Sequence, residues 1–380
     1  MTTLDRRSLA VLHVLRAPVG GLFRHVVDLV RAQTAGGHRV GIVADATTGG
    51  EQAEAALAAL APALALGIAR VPMSRHLGLR DVAAVRRVGR VLRKTGVDVV
   101  HGHGAKGGAY ARLAASGALR AYTPHGGTLH FNPRLPLGFV YLNLERALLS
   151  RTDLILFESA YARDVFHARL GAPAALERVV HNGVTAAEFA PVAPDPDASD
   201  ILFVGELRRL KGVDVLIEAV RMLAAAGRPV SVTIVGSGPD ADAFKAQARG
   251  LAAVRFPGAL PTRQAFARGR LLVVPSRAES LPYIVLEAAA AGVPMLATNV
   301  GGIPEIFGPQ SPQLLPAGDA PALAAAITAA LGDPAGIRAA AQALKARVRG
   351  EFTAEAMGEA VLAAYRAARD RRDGSNIPPH

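Results

Sequence analysis

Short apolar runs alternate with helix-length amphipathic stretches along the whole chain. In the first half the runs are LAVLHVL (residues 9–15), RVGIVAD (39–45), DVVHGHG (98–104), RAYTPHG (120–126), LILFES (154–159) and ERVVHNG (177–183). In the second half they are ILFVGEL (201–207), VSVTIVGSG (230–238), AVRFPGA (253–259), LLVVPS (271–276) and VPMLATN (293–299). Many are continuous rather than alternating and end in Gly, His, Asn or Ser. Continuous apolar strands are buried on both faces, as in a parallel sheet covered by helices. In such sheets ligand-binding groups collect at the carboxyl ends of the strands. The pattern predicts an α/β chain with two Rossmann-like domains, one parallel sheet in each half.

The segment PVAPDPDASD (191–200) separates the two sets of strands and has the Pro/Asp-rich composition of a linker. Domains of 1–190 and 191–352 follow. The stretch 353–372 is an amphipathic helix with no strand after it, and the last residues, GSNIPPH, read as a frayed tail. The start, MTTLDRRSLAVLHVL, reads as a first strand rather than a signal peptide, because no small-residue cleavage site follows its short apolar core.

The 380 residues, 51% of them hydrophobic, suffice for two cores. There is no Cys, so disulfides, thiolate metal sites and thiol nucleophiles are excluded. This suits a reducing, cytoplasmic setting, and no apolar run is long enough for a spanning helix. The net charge of +12 is uneven: residues 1–190 carry 23 Lys and Arg against 13 Asp and Glu, whereas 191–380 carry 20 against 18. A basic first half points to an anionic acceptor or an anionic membrane surface. Nucleic acid is not indicated, since no aromatic residues are interleaved with the basic ones.

Residues 273–305, VVPSRAESLPYIVLEAAAAGVPMLATNVGGIPE, hold the most specific chemistry. Glu279 and Glu287 are separated by seven residues. Ser280 and Pro282 are helix-start signals, so the order is strand, acidic loop, helix N-terminus, second acid. A helix N-terminus offers free N–H groups and partial positive charge, which suit a diphosphate. Lys211 follows the strand at 201–205 and would open the next helix, another phosphate-binding position. Gly20 and Gly21 precede the first helix in the same way. His125 ends a strand beside glycines.

These motifs, in this order from Gly20 to about Ala368, resemble the retaining nucleotide-sugar glycosyltransferases of the GT-B fold, in particular glycosyltransferase family 4. The resemblance implies two Rossmann-like domains facing a cleft, with the last helix crossing back to the first domain. It implies a retaining hexosyltransferase that moves a sugar from a nucleoside-diphosphate sugar to a hydroxyl. The expected acceptors are saccharides or lipid-linked saccharides of envelope or exopolysaccharide synthesis, handled in the cytoplasm or at the inner face of the membrane. Lys211 would bind the diphosphate, with backbone N–H groups of Tyr283, Ile284 and Val285. Glu279 would lie at the donor sugar and Glu287 at the ribose. Gly20 and Gly21 would approach the diphosphate or the acceptor, Gly236 the nucleotide base, and His125 the donor sugar. The sugar nucleotide is a co-substrate; no cofactor or catalytic metal is required, because Lys211, a helix dipole and neighbouring N–H groups stabilise the diphosphate, and no general base is required, because a leaving-phosphate oxygen takes the acceptor proton. One departure stands out: Glu206 occupies the position where the family usually has Arg, and Arg208 or Arg209 is left to compensate.

Other features carry less. His101 and His103 have metal-ligand chemistry but no evident third ligand, so they are assigned with Lys106 to the acceptor side. The turn at Gly236 lacks the third glycine of a dinucleotide fingerprint. Asp195 and Asp197 sit in the linker, away from any strand. The segment 80–94 carries Arg86, Arg90 and Arg93 on one side and Val85, Val88 and Leu92 on another, which fits a solvated basic face or an anionic lipid surface. Two rivals share the architecture: a sugar-nucleotide epimerase or hydrolase, and a catalytically silent nucleotide-sugar-binding scaffold.

Overall fold

The structure, a computed structural model, describes residues 8–114, 117–126 and 135–374. The chain start before residue 8 and the tail after residue 374 lie outside the described residues. The chain divides into two compact units, one running to Gly183 and resuming at Ala354, the other spanning Val184–Thr353. The division falls before the Pro-rich segment rather than in it. Residues 184–190 belong with the second unit because Val184 bridges Thr353 and Phe189 is buried against Leu344 and Val348. The end of the supposed linker, Ser199 and Asp200, is already strand.

Among the described residues the first unit has seven strands: β1 (Ala10–Leu15), β2 (Arg39–Asp45), β3 (Gly67–Val71), β4 (Val99–His103), β5 (Leu119–Thr123), β6 (Leu154–Phe157) and β7 (Leu176–Val179). They form one sheet in the order β3-β2-β1-β4-β5-β6-β7, and every pairing is parallel. β1 and β4 are fully buried, as their continuous apolar runs require. The helix Ala354–Gly374 packs on this unit, burying Met357, Val361, Leu362 and Tyr365 against β1, β4, β5 and β6.

The second unit has β8 (Ser199–Val204), β9 (Val232–Val235), β10 (Val254–Gly258), β11 (Gly269–Val274), β12 (Met295–Thr298) and β13 (Leu314–Leu315). Their order is β10-β9-β8-β11-β12-β13, again parallel throughout. Both units are doubly wound. In each, the strand order reverses once, between β1 and β4 and between β8 and β11. Crossovers on the two sides of such a reversal run in opposite directions, which opens a crevice at the strands' carboxyl ends.

β3 and β13 escape the sequence pattern. β3 is a half-buried edge strand whose run is broken by Arg70, and β13, at the edge of the other sheet, is only two residues long. On the helix Arg80–Thr95 the apolar side is buried through Ala84, Val88 and Leu92, while Arg86, Arg87, Arg90 and Arg93 are exposed.

Candidate functional site

In the second unit the reversal lies between β8 and β11, and the two predicted charges meet there. Lys211 comes from the turn after β8 and Glu279 from the turn after β11. Lys211 Nζ donates to both carboxylate oxygens of Glu279, at 2.7 and 2.9 Å. Ser276 Oγ donates to the same carboxylate at 2.7 Å. Lys211 does not open the helix as expected. It ends a 3-10 turn, Arg209–Lys211, and Gly212 caps the helix Val213–Ala225.

Backbone packing fixes both turns. Gly212 has φ 72°, and a Cβ there would sit 1.8 Å from the Pro275 carbonyl oxygen. Gly301, φ 61°, lies against the Glu279 carbonyl oxygen, 1.9 Å from where its Cβ would be. Only glycine fits either position. Gly212→Ala is therefore expected to destabilise the second unit by about 1–3 kcal/mol, read as a lower urea midpoint. An unchanged midpoint would show that the approach is not needed. Arg277 adds a clamp: its guanidinium makes two 2.7 Å bonds to the Asp214 carboxylate and another to the Arg209 carbonyl. Burial alone would raise the Asp214 carboxyl, but the bonds and charge of Arg277 outweigh it and hold it below the usual range.

The remaining donor-side residues surround this pair. The helix Tyr283–Ala291 starts at Pro282 with no side-chain cap. Val285 N–H is not available to a phosphate, because it donates to the Pro282 carbonyl at 3.2 Å. Glu287 is half-buried on the same helix, between buried Leu286 and Ala288. Gly236 lies against the Gly205 carbonyl, which seats the turn after β9 on the turn after β8. Glu206 and Arg208 are both half-exposed and 3.8 Å apart, so they pair loosely with each other. Arg209 is largely exposed.

In the first unit the reversal lies between β1 and β4, and a cluster of histidines fills it. His13 Nε2 bonds Gln33 Oε1 at 2.8 Å, and His13 Nδ1 faces His103 Nε2 at 2.9 Å. His103 Nδ1 faces His125 Nε2 at 3.2 Å, and His125 Nδ1 faces Glu158 Oε1 at 2.5 Å. His25, on the helix Gly20–Ala35, bonds Asn182 Oδ1 through Nδ1 at 2.9 Å and stacks edge-on to His125. His125 has φ 50°, a strained value for a non-glycine residue, and its side chain is 5% exposed. Both its ring nitrogens are thus turned to protein partners.

Burial drives His13, His25, His101 and His103 neutral. It pushes His13 down to about 4 and His25, with help from nearby His125, to about 3. His101 and His103 are lowered well below the usual range, again mainly by burial.

Two acceptor-side expectations are corrected here. His101 does not line a loop. It is fully buried within β4, with Thr123 Oγ1 and Tyr365 Oη each 2.8 Å from a ring nitrogen. Lys106 is not free for an anion, since it donates to both Asp81 oxygens at 2.6 and 2.7 Å. Burial raises the Asp81 carboxyl, but bonds from Lys106, Tyr110 and the Gly78 N–H together hold it low. The sequence shows no third histidine near His101 and His103, but the fold brings His13 beside both, and His25 with His125 beside His103. Gly20 and Gly21 are exposed at the uncapped start of the helix Gly20–Ala35, and Gly20 has φ 63°. An open pocket of about 350 Å³ is lined by Arg16, Arg75, His76, Lys106, His103, His125 and Tyr141.

Two parallel doubly wound units, each with its polar groups gathered where the strand order reverses, make up the GT-B fold. The family model "Glycosyltransferase Family 4" matches residues 19–188, and "Glycosyl transferases group 1" matches 198–333. The chain is similar to the glycogen synthase of Mycobacterium tuberculosis, at 30% identity over 394 aligned positions, covering 95% of this chain and 94% of that protein. Its fold is similar to sucrose-phosphate synthase from Thermosynechococcus elongatus (TM-score 0.77, 21% identity, 96% of this chain and 100% of the other). It is also similar to Anabaena HepE solved with UDP-glucose (TM-score 0.77, 18% identity, 94% and 100%). The chain belongs to the group 1 type of glycosyltransferase family 4. It is a sugar-transferring enzyme that uses a nucleotide sugar, and the epimerase, hydrolase and silent-scaffold readings are not favoured.

Proposed function

We propose that the protein transfers a hexose from a nucleoside-diphosphate sugar to a hydroxyl of a saccharide or lipid-linked acceptor, with retention at the anomeric carbon. The observation that carries this is the Lys211–Glu279 pair at the β8/β11 reversal. In the donor complex the diphosphate takes Lys211 as its cation, together with the uncapped start of the helix Tyr283–Ala291. Glu279 is then released towards the sugar, Glu287 accepts from the ribose, and Gly236 allows the base to approach. The bond from the anomeric carbon to the diphosphate oxygen breaks while the acceptor oxygen bonds that carbon. The acceptor proton passes to a phosphate oxygen, so no protein base is needed, and Lys211 with the helix start offsets the diphosphate charge in place of a metal.

The first unit takes the acceptor in the pocket beside Arg16 and Arg75. Neither guanidinium forms an ion pair among the described residues, so the pocket suits an acceptor with a negative group, such as a lipid-linked phosphate. Gly20 and Gly21 lie at the first unit's own helix start, and His125 forms part of the pocket wall. Exposed Leu77, Leu79 and Val82 beside the exposed arginines of the helix Arg80–Thr95 fit peripheral binding to the inner face of an anionic membrane. Among the described residues no single helix is long and apolar enough to cross a membrane. Co-sedimentation with phosphatidylglycerol vesicles is expected to fall with salt and in Leu79→Asp; equal pelleting with neutral vesicles would contradict the surface reading.

The activity test is incubation with a panel of sugar nucleotides and saccharide acceptors, with products followed by NMR. A glycoside of unchanged anomeric configuration supports the proposal. Inversion removes the retaining step, and free or epimerised sugar as the main product restores the rival reading.

A further inference from the structure

We infer that the second unit binds a single-chain anionic amphiphile, an alkyl carboxylate or alkyl phosphate, beneath the helix Pro334–Glu351. A cavity of about 610 Å³ opens there, a size typical of ligand pockets. Buried Phe266, Leu271 and Val293 line it from the sheet side, and Ile337 lines it from the helix. A second cavity of about 410 Å³ adjoins the first, because Val293 and Ile337 line both. The helix runs along the two. Arg338 and Gln342 border the first, and Ala340, Ala341 and Leu344 border the second. The alanines are the local cause of the space: interiors are otherwise close-packed, and such short side chains leave the gap to Met295 and Phe307 unfilled. From Ile337 to Arg347 the helix rises about 15 Å, which gives an extended chain room to lie along it.

Free charge lies at one end only. Arg270 and Arg338 line the first cavity, both are exposed, and neither makes a hydrogen bond or an ion pair among the described residues. The other charged group of that cavity, Asp200, already accepts from the Ser231 N–H and Oγ at 2.8 and 2.7 Å. Two unpaired guanidiniums against one engaged carboxylate favour an anion, and the guanidinium fork suits carboxylate and phosphate oxygens. The one charged residue lining the second cavity, Arg347, is committed to the Glu305 and Ile306 carbonyls and to the Glu351 carboxylate. An anionic head therefore settles at Arg270 and Arg338, and its chain passes between Val293 and Ile337 into the second cavity. The two cavities border the amino ends of the strands: Gly269 opens β11, and Pro294 precedes β12. Lys211 and Glu279 follow the carboxyl ends of β8 and β11. The amphiphile and the sugar nucleotide would thus bind without competing, and the first would tie the helix Pro334–Glu351 to β11 and β12.

The test titrates the full-length chain with dodecyl phosphate below its critical micelle concentration, followed by calorimetry, with thermal melting as a second readout. The expected result is saturation at one molecule per chain with a raised melting temperature. Dodecanoate should compete for the same site. Inorganic phosphate, which lacks the chain, and dodecyltrimethylammonium, which lacks the anion, should each bind at least about tenfold more weakly. Replacing both head-group partners, Arg270→Ala with Arg338→Ala, should weaken dodecyl phosphate by about tenfold or more. Ala340→Phe, which fills the second cavity, should weaken it as well. Leu79→Asp, on the exposed apolar surface of the first unit, should leave the affinity unchanged. Absence of saturable binding to the wild-type chain overturns the inference, and so does equal affinity for the cationic amphiphile. Undiminished affinity in the double arginine variant or in Ala340→Phe also overturns it, and a loss in Leu79→Asp alone would place the amphiphile on the first unit. Should Ala340→Phe misfold by circular dichroism, the wild-type titration and the exposed arginine positions still decide.

Discussion

Glu279→Gln is expected to lower sugar transfer by about 100- to 1000-fold while leaving the fold intact and nucleoside-diphosphate binding undiminished. The split follows from the ion pair. With no donor present, Glu279 neutralises Lys211 through two short bonds, and Ser276 fixes the carboxylate. A diphosphate must compete with that carboxylate for the lysine. Glutamine keeps the size of the side chain and removes its charge, so Lys211 becomes freer for phosphate while the sugar loses its carboxylate. Transfer should therefore fall through kcat, with KM for the donor unchanged or lower. Parallel losses in kcat and donor affinity would mean that Glu279 mainly holds the turn together. Near-normal turnover would remove it from the reaction.

The second large effect is on stability in acid. Four histidines of the first unit, His13, His25, His101 and His103, are held neutral by burial, His13 down to about 4 and His25 to about 3. Unfolding returns each to an ordinary value near 6.5. Below that pH the unfolded chain binds protons that the folded chain refuses, so stability rises with pH across the window and is lost as pH falls through it. Each histidine contributes a slope of about 1.4 kcal/mol per pH unit, or roughly 5 kcal/mol per unit if all four stay neutral until unfolding. Hydrogen exchange of the β1 and β4 amides should show the loss beginning just below pH 6.5. Equal protection at pH 7 and pH 5 would mean the cluster is already protonated in the folded chain.

The fold was largely legible because the inner strands of a doubly wound sheet must be apolar on both faces, and runs such as LAVLHVL and LLVV announce that directly. β3 and β13 were not legible: β3 is a half-buried edge strand interrupted by Arg70, and β13 is only two residues long. The donor-side residues were legible as types at the ends of strands. Their pairing was not: Lys211 and Glu279 are 68 residues apart, and only the β8/β11 neighbourhood joins them. The histidine cluster shows the limit more sharply. His101 and His103 look alike in VVHGHG, yet successive positions of one facing in a strand meet different neighbours. His101 ends among Thr123 and Tyr365, and His103 among His13, His25 and His125. Glu158, Asn182 and Gln33, which bond the cluster from outside, lie far apart in the sequence and carry no local signal.

The most direct test of the donor site is calorimetric titration of the wild-type chain and Lys211→Ala with UDP, GDP, ADP and dTDP, first without metal and then with Mg²⁺. The account predicts selective binding of one diphosphate without Mg²⁺. It also predicts that Lys211→Ala weakens that diphosphate far more than the corresponding nucleoside. Binding of no diphosphate under either condition, or equal losses for diphosphate and nucleoside, would contradict it.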